Sequence, residues 1–126
     1  MKHERITPRD IARQFLRNAV AGRVKEAYEH TTPDFIHHNA YFAGDKESLM
    51  KGMAENAARF PDKTCDPKQV VQEGDLVAVL SHIRHKPGEP GVAVAHFFRF
   101  ENGLIAEMWD VGQEIPADSP NENGMF

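Results

Sequence analysis

Phe98-Arg99-Phe100-Glu101-Asn102-Gly103-Leu104-Ile105-Ala106-Glu107-Met108-Trp109-Asp110 decides the fold of this chain. It holds two apolar strands around a turn, and the length of that turn fixes which side chains share a face. With Asn102-Gly103 alone as the loop, His96 pairs with Trp109 and Asp110 lies on the opposite face. With Glu101-Asn102-Gly103 as the loop and Gly103 left-handed as a bulge, Phe100 pairs with Leu104 and His96 with Met108. Composition favours the second register. It gathers Val92, Val94, Phe98, Phe100, Leu104, Ala106 and Met108 on one face, with His96 and Asp110 as the only polar members. Arg99, Glu101 and Glu107 go to the other face. His96 and Asp110 are then diagonal neighbours roughly 7–8 Å apart at the backbone.

Outward from this hairpin the period stays at two. Lys68–Glu73 and Leu76–Lys86 flank Gly74-Asp75, a two-residue hairpin signal. Pro87-Gly88-Glu89-Pro90 is a turn; if it has four residues, Lys86 pairs with Gly91. Val77, Val79, Ser81 and Ile83 then join the face of His96. Before residue 64 the pattern is helical. Thr7-Pro8-Arg9-Asp10 reads as a helix start, with Ile11, Phe15 and Ala19 as an apolar stripe after it. Val24, Ala27 and Tyr28 mark a second helix, ended by Thr31-Thr32-Pro33. Asp34–Asn39 is a short extended segment. Asp45 caps a third helix carrying Leu49, Met53, Ala57 and Phe60, weakened slightly by Gly52 and stopped by Pro61. The expectation is an α+β domain spanning residues 1–126. A helical layer at about 7–60 packs on a strongly curved antiparallel sheet at about 64–113, and the tail 114–126 is irregular.

Composition narrows the partners. The chain has 126 residues, Lys plus Arg 15 against Asp plus Glu 19, and a net charge of −4. Without a basic cluster, this excludes a nucleic-acid surface. Hydrophobic residues at 40% and charged residues at 27% indicate a globular chain rather than a disordered one. The opening MKHERITPRD has no signal-peptide core, and no apolar run spans a bilayer. The one cysteine, Cys65, forms no internal disulfide. Cytoplasm is the expected compartment.

The chemistry concentrates on two residues. A single His on an apolar strand is commonly a satisfied core histidine, but a buried carboxylate is costly unless paired. Asp110 is therefore either a structural partner of His96 or a base whose pKa burial raises. His37-His38 and His82-x-x-His85 suggest a metal site at first sight. Within each pair, however, strand alternation points the two rings to opposite faces. No metal or organic cofactor is implied.

Three stretches carry a family resemblance. Phe35-Ile36-His37-His38-Asn39 is similar to the Y/F-I-x-H-N opening of SnoaL-like proteins. Phe98–Gln113 resembles their F-R-x-x-x-G-x-I-x-E-H-W-D-V-x-Q hairpin, and Asn121–Phe126 resembles the N-x-N-G-M-F tail of one bacterial branch. The resemblance implies the cystatin-like cone of the nuclear-transport-factor-2-like superfamily, whose members include polyketide cyclases and non-enzymatic domains. It implies Asp110 as acid/base and His96 as its pocket partner, in a cyclase or isomerase acting on a hydrophobic carbonyl compound. It also implies His38 and Asn39 as substrate contacts at the pocket mouth, with Tyr41 and Ser81 as further candidates beside Val94, Phe98 and Met108. Met108 departs from the branch, which has His before Trp-Asp. A binding module for an apolar metabolite and a structural dimerisation domain remain open alternatives. Finally, the register sends Ala95, Phe97, Ile105, Trp109 and Val111 to the convex face, too much apolar surface for a small monomer. A homodimer through that face is expected, or else coverage of it by the C-terminal tail.

Overall fold

A computed structural model describes residues 6–126. The opening Met1–Arg5, read above for the absence of a signal-peptide core, lies outside the described residues. The element order is α1 (Pro8–Val20), α2 (Val24–Tyr28), β1 (Thr31–His37), α3 (Lys46–Arg59), β2 (Thr64–Glu73), β3 (Leu76–Arg84), β4 (Val92–Glu101) and β5 (Leu104–Glu114). Among the described residues, no helix is long and apolar enough to cross a membrane.

Local chemistry sets the helix ends. The Thr7 side chain accepts from the Asp10 backbone N–H, and the Asp10 carboxylate accepts in return from the Thr7 backbone, a reciprocal capping box with Pro8 in the first turn. Asp45 caps α3 by accepting from the Ser48 N–H at 2.8 Å. The helices pack on a curved, unclosed five-stranded sheet of order β1-β5-β4-β3-β2, an α+β arrangement. Aromatic edges tie the two layers together. Phe15 of α1 meets Tyr28 of α2 at 5.2 Å and Phe98 of β4 at 5.7 Å, and Tyr28 meets Phe35 of β1 at 5.7 Å. Each such pair contributes about 0.5–1.5 kcal/mol beyond its area burial.

The sheet differs from the sequence expectation in three places. First, the segment read as an isolated extended stretch is β1. It starts at Thr31 and pairs in parallel with β5, adding an edge strand to the antiparallel meander. Second, β3 ends at Arg84, so the connector to β4 is longer than four residues. The β3–β4 register slides by two, and His96 faces Val79 rather than Ser81. A slide of two preserves the faces. Third, the turn after β4 has two residues, because Glu101 pairs with Leu104. Asn102 at φ 51° and Gly103 at φ 82° supply the two left-handed residues such a turn requires.

A two-residue turn followed rigidly down the hairpin sets His96 against Trp109. It does not do so here, because β5 carries a bulge. Phe100 pairs with Ile105, but Arg99 pairs with Glu107, which leaves Ala106 as the extra residue. Beyond the bulge the pairs are Phe98 with Met108, Phe97 with Trp109 and His96 with Asp110. The bulge also reverses the assignment of Ile105. Expected on the convex face, Ile105 is fully buried in the core with Phe100 and Met108.

Candidate functional site

A cavity of about 230 Å³ lies between the helices and the concave face of the sheet. Its roof is α3. Leu49, Gly52, Met53 and Asn56 recur at helical spacing and line it, and only Leu49 in this helix is buried. The stripe on α3 thus roofs a cavity rather than sealing a dry core. Gly52 has a steric reason to be there: a Cβ would lie 2.1 Å from the Phe42 ring, which packs against the helix at this point and forms part of the wall. The sheet contributes Ile83, His96 and Asp110, the loop after β1 contributes Asn39, and Lys63 enters just before β2.

Asp110 and His96 are direct cross-strand partners, closer than the diagonal expected from sequence. No hydrogen bond joins them among the described residues. The group that holds the carboxylate is Asn39, whose Nδ2 donates to Asp110 Oδ2 at 2.9 Å. Asn39 is itself fixed from two sides. Its Oδ1 accepts from the Tyr41 N–H at 3.0 Å, and its own N–H donates to His37 Nδ1 at 3.2 Å. With Nδ1 accepting, His37 carries its proton on Nε2, which donates to the Ala43 carbonyl at 2.8 Å. His37 therefore pins the loop that aims Asn39 at Asp110.

The electrostatics follow from burial. Desolvation raises the Asp110 pKa, opposed by the Asn39 hydrogen bond and by His37. His96 goes the other way: burial, reinforced by the Lys63 charge, lowers its pKa to about 4. At neutral pH it is an uncharged imidazole, and its Nδ1 has no hydrogen-bond partner. Tyr28 lies close enough for the Asp110 charge to add to the burial that raises its own pKa, and its hydroxyl donates to Met53 Sδ at 3.3 Å. Sulfur is a weak acceptor.

The remaining candidates separate. Asn39 lines the cavity, but His38 does not: it lies on the convex side, stacked on Trp109 at 5.1 Å and bonded to Glu107 at 2.6 Å. Strand alternation from buried His37 places it there. Tyr41 is 91% exposed, because the loop turns it to solvent. Ser81 is fully buried beside Cys65, beneath the cavity rather than on its surface. Phe98 and Met108 are buried in the core on the face of His96 and Val94 is half-buried there, but none of the three lines the cavity. Phe42, Asn56 and Lys63 were not legible as site residues. Each sits in or beside a loop or helix whose placement over the sheet has no spacing signature.

Helices closing a curved sheet over a pocket with a few convergent polar groups define a small-molecule site. The family model for the SnoaL-like domain matches residues 12–108, and the chain belongs to that family. Solved structures agree in fold. An NTF2-like protein of unknown function from Cytophaga hutchinsonii superposes with a TM-score of 0.70 at 18% identity, covering 90% of this chain and 95% of that one. A loop-truncation variant of IdmH gives a TM-score of 0.69 at 27% identity, over 85% of this chain and 93% of its own. A candidate polyketide cyclase from Sinorhizobium meliloti gives 0.64 at 17% identity, over 81% and 94%. No curated protein matches the chain. Membership in the family supports a small-molecule enzyme or binding role.

Proposed function

We propose that this chain is a single-domain, cofactor-independent enzyme that removes a proton alpha to a carbonyl in a small hydrophobic substrate. The observation that carries the reading is a carboxylate of raised pKa directly opposite a neutral imidazole at one apolar cavity. Asp110 takes the proton, and the electron pair moves onto the carbonyl oxygen as an enolate. His96, uncharged, donates an N–H to that oxygen. The enolate then attacks a second carbonyl in the same molecule, an aldol cyclisation, or is reprotonated at another carbon, an isomerisation. Asp110 returns the proton to the alkoxide in the first case. Asn39 orients the carboxylate through the oxygen that does not take the proton.

Size limits the substrate. An apolar cavity of about 150 Å³ holds benzene, so 230 Å³ suits one or two rings. Met108, in place of the His of the branch, favours a second reading, a binding module that holds the same kind of molecule without turnover. Native mass spectrometry of the purified protein tests the pocket itself. A retained or added bicyclic ketone bound one per chain is expected, and failure to bind any such ketone contradicts both readings.

The proposal includes a cytoplasmic homodimer formed through the convex face. Phe97 at 43% and Val111 at 69% exposure stand there, with the partly exposed Trp109 between them in the hairpin. The tail does not cover them, although Phe126 reaches the ring of His82 at 4.9 Å. Val71, at 61% exposure, joins this surface, and Ile105 leaves it.

A further inference from the structure

Lys63 has no part in the chemistry above, yet among the described residues it is the only lysine or arginine lining the cavity. Its Nζ donates to the neutral amide of Asn56, another lining residue, at 2.5 Å. Among the described residues no carboxylate lies within ion-pair distance of it. A partly buried ammonium with only an amide for company is incompletely compensated. Burial lowers its pKa accordingly. Its charge is felt at His96, so the ammonium lies within electrostatic reach of the site.

The positions in the sheet give the spacing. Asp110 is on β5, His96 on β4 and Ile83 on β3, and Lys63 precedes β2, the next strand in order. Three steps of about 4.8 Å separate Asp110 from Lys63 across the sheet, roughly 14 Å, and Lys63, one residue before the Thr64–Arg84 pair, is also displaced along the strands from the level of Val79, His96 and Asp110. A one- or two-ring molecule fits between Lys63 and Asp110.

Resting on the reading of this cavity as the substrate site, we infer that Lys63, steered by Asn56, is an anion-recognition point, and that the natural ligand is a small ring-bearing carboxylic acid. The carboxylate meets the ammonium at the β2 side, and the carbonyl to be activated lies between His96 and Asp110. Asp110 repels the anionic end and so enforces this one orientation of the two.

The test compares 2-naphthoate with the isosteric neutral 2-naphthamide by isothermal titration calorimetry at pH 6.5, where the ammonium is charged. The wild-type protein is expected to bind the carboxylate about ten-fold more tightly, a difference of about 1.4 kcal/mol. Lys63→Met removes the preference, with Lys63→Gln as the substitute if the Met variant misfolds, and Lys63→Arg keeps it. Equal affinity for both ligands in the wild type, or a preference that survives Lys63→Met, overturns the anion site and leaves the pocket reading standing. Binding of neither ligand overturns both.

Discussion

Replacing His96 by Phe should make the fold less sensitive to acid. His96 is 7% exposed, and burial lowers its pKa from the ordinary 6.5 to about 4. The folded state therefore holds the neutral ring, while the unfolded chain takes up a proton near pH 6.5. The contribution of this group to stability is complete above pH 6.5 and is lost as the pH falls from there toward 4. At 1.36 kcal/mol per pH unit, the whole loss is about 3 kcal/mol, and about 2 kcal/mol is gone by pH 5. Asp10, Asp45, Asp66 and Glu107, whose carboxyl pKa values are lowered by their partners, also lose stability in acid. Asp110, with its raised pKa, acts in the opposite sense. These groups are common to both proteins and largely cancel in the difference. Urea unfolding followed by circular dichroism at pH 7 and pH 5, at one fixed protein concentration, gives that difference. The wild type should lose about 2 kcal/mol more than His96→Phe. An equal loss in the two proteins would show that His96 is charged in the folded state, and the proposed neutral donor would go with it.

Asn39→Ala removes the side-chain donor to Asp110. A hydrogen bond to a charged group contributes about 1.5–3 kcal/mol, so the carboxyl should become a weaker acid by about ten- to a hundred-fold. Carbon-13 NMR titration of the Asp110 carboxyl measures this, and an unshifted titration would remove Asn39 from its orienting role. For the dimer, sedimentation at micromolar concentration should show a species heavier than the 14.2 kDa chain. Trp109→Glu should return it to the monomer; an unchanged sedimentation coefficient would mean that a different surface is used.

Much of this architecture was legible because apolar periodicity survives local error. The face shared by Val77, Val79, His96, Phe98 and Met108 is visible in the strand pattern. A slide of two between β3 and β4 left it intact. The turn was not legible. Asn102-Gly103 is the stronger two-residue signal, and the pattern of side chains argued against it only because a bulge at Ala106 goes unmarked by sequence. Two departures, a shorter turn and an extra residue, offset each other, so Asp110 still faces inward while Ile105 changes sides. β1 was hidden for another reason: its partner is β5, some seventy residues away, and Pro33 near its start reads as a stop. At the candidate site, the strand pattern brought Asp110 and His96 to one face, and the family resemblance pointed to Asn39, which also lines the cavity. Lys63, Asn56 and Phe42 depend on how α3 lies across the sheet, and that is a property of packing.

The central claim is that Asp110 moves a proton alpha to a carbonyl inside the cavity. Proton NMR of 1-tetralone in deuterated buffer, with catalytic amounts of protein, follows that step by loss of the alpha-proton signal. The wild type should accelerate the exchange well above buffer. Asp110→Asn should bind the ketone nearly as well and reduce the exchange to the buffer rate. Exchange of equal speed in Asp110→Asn and wild type, or tight binding by the wild type with no exchange at all, would contradict the claim.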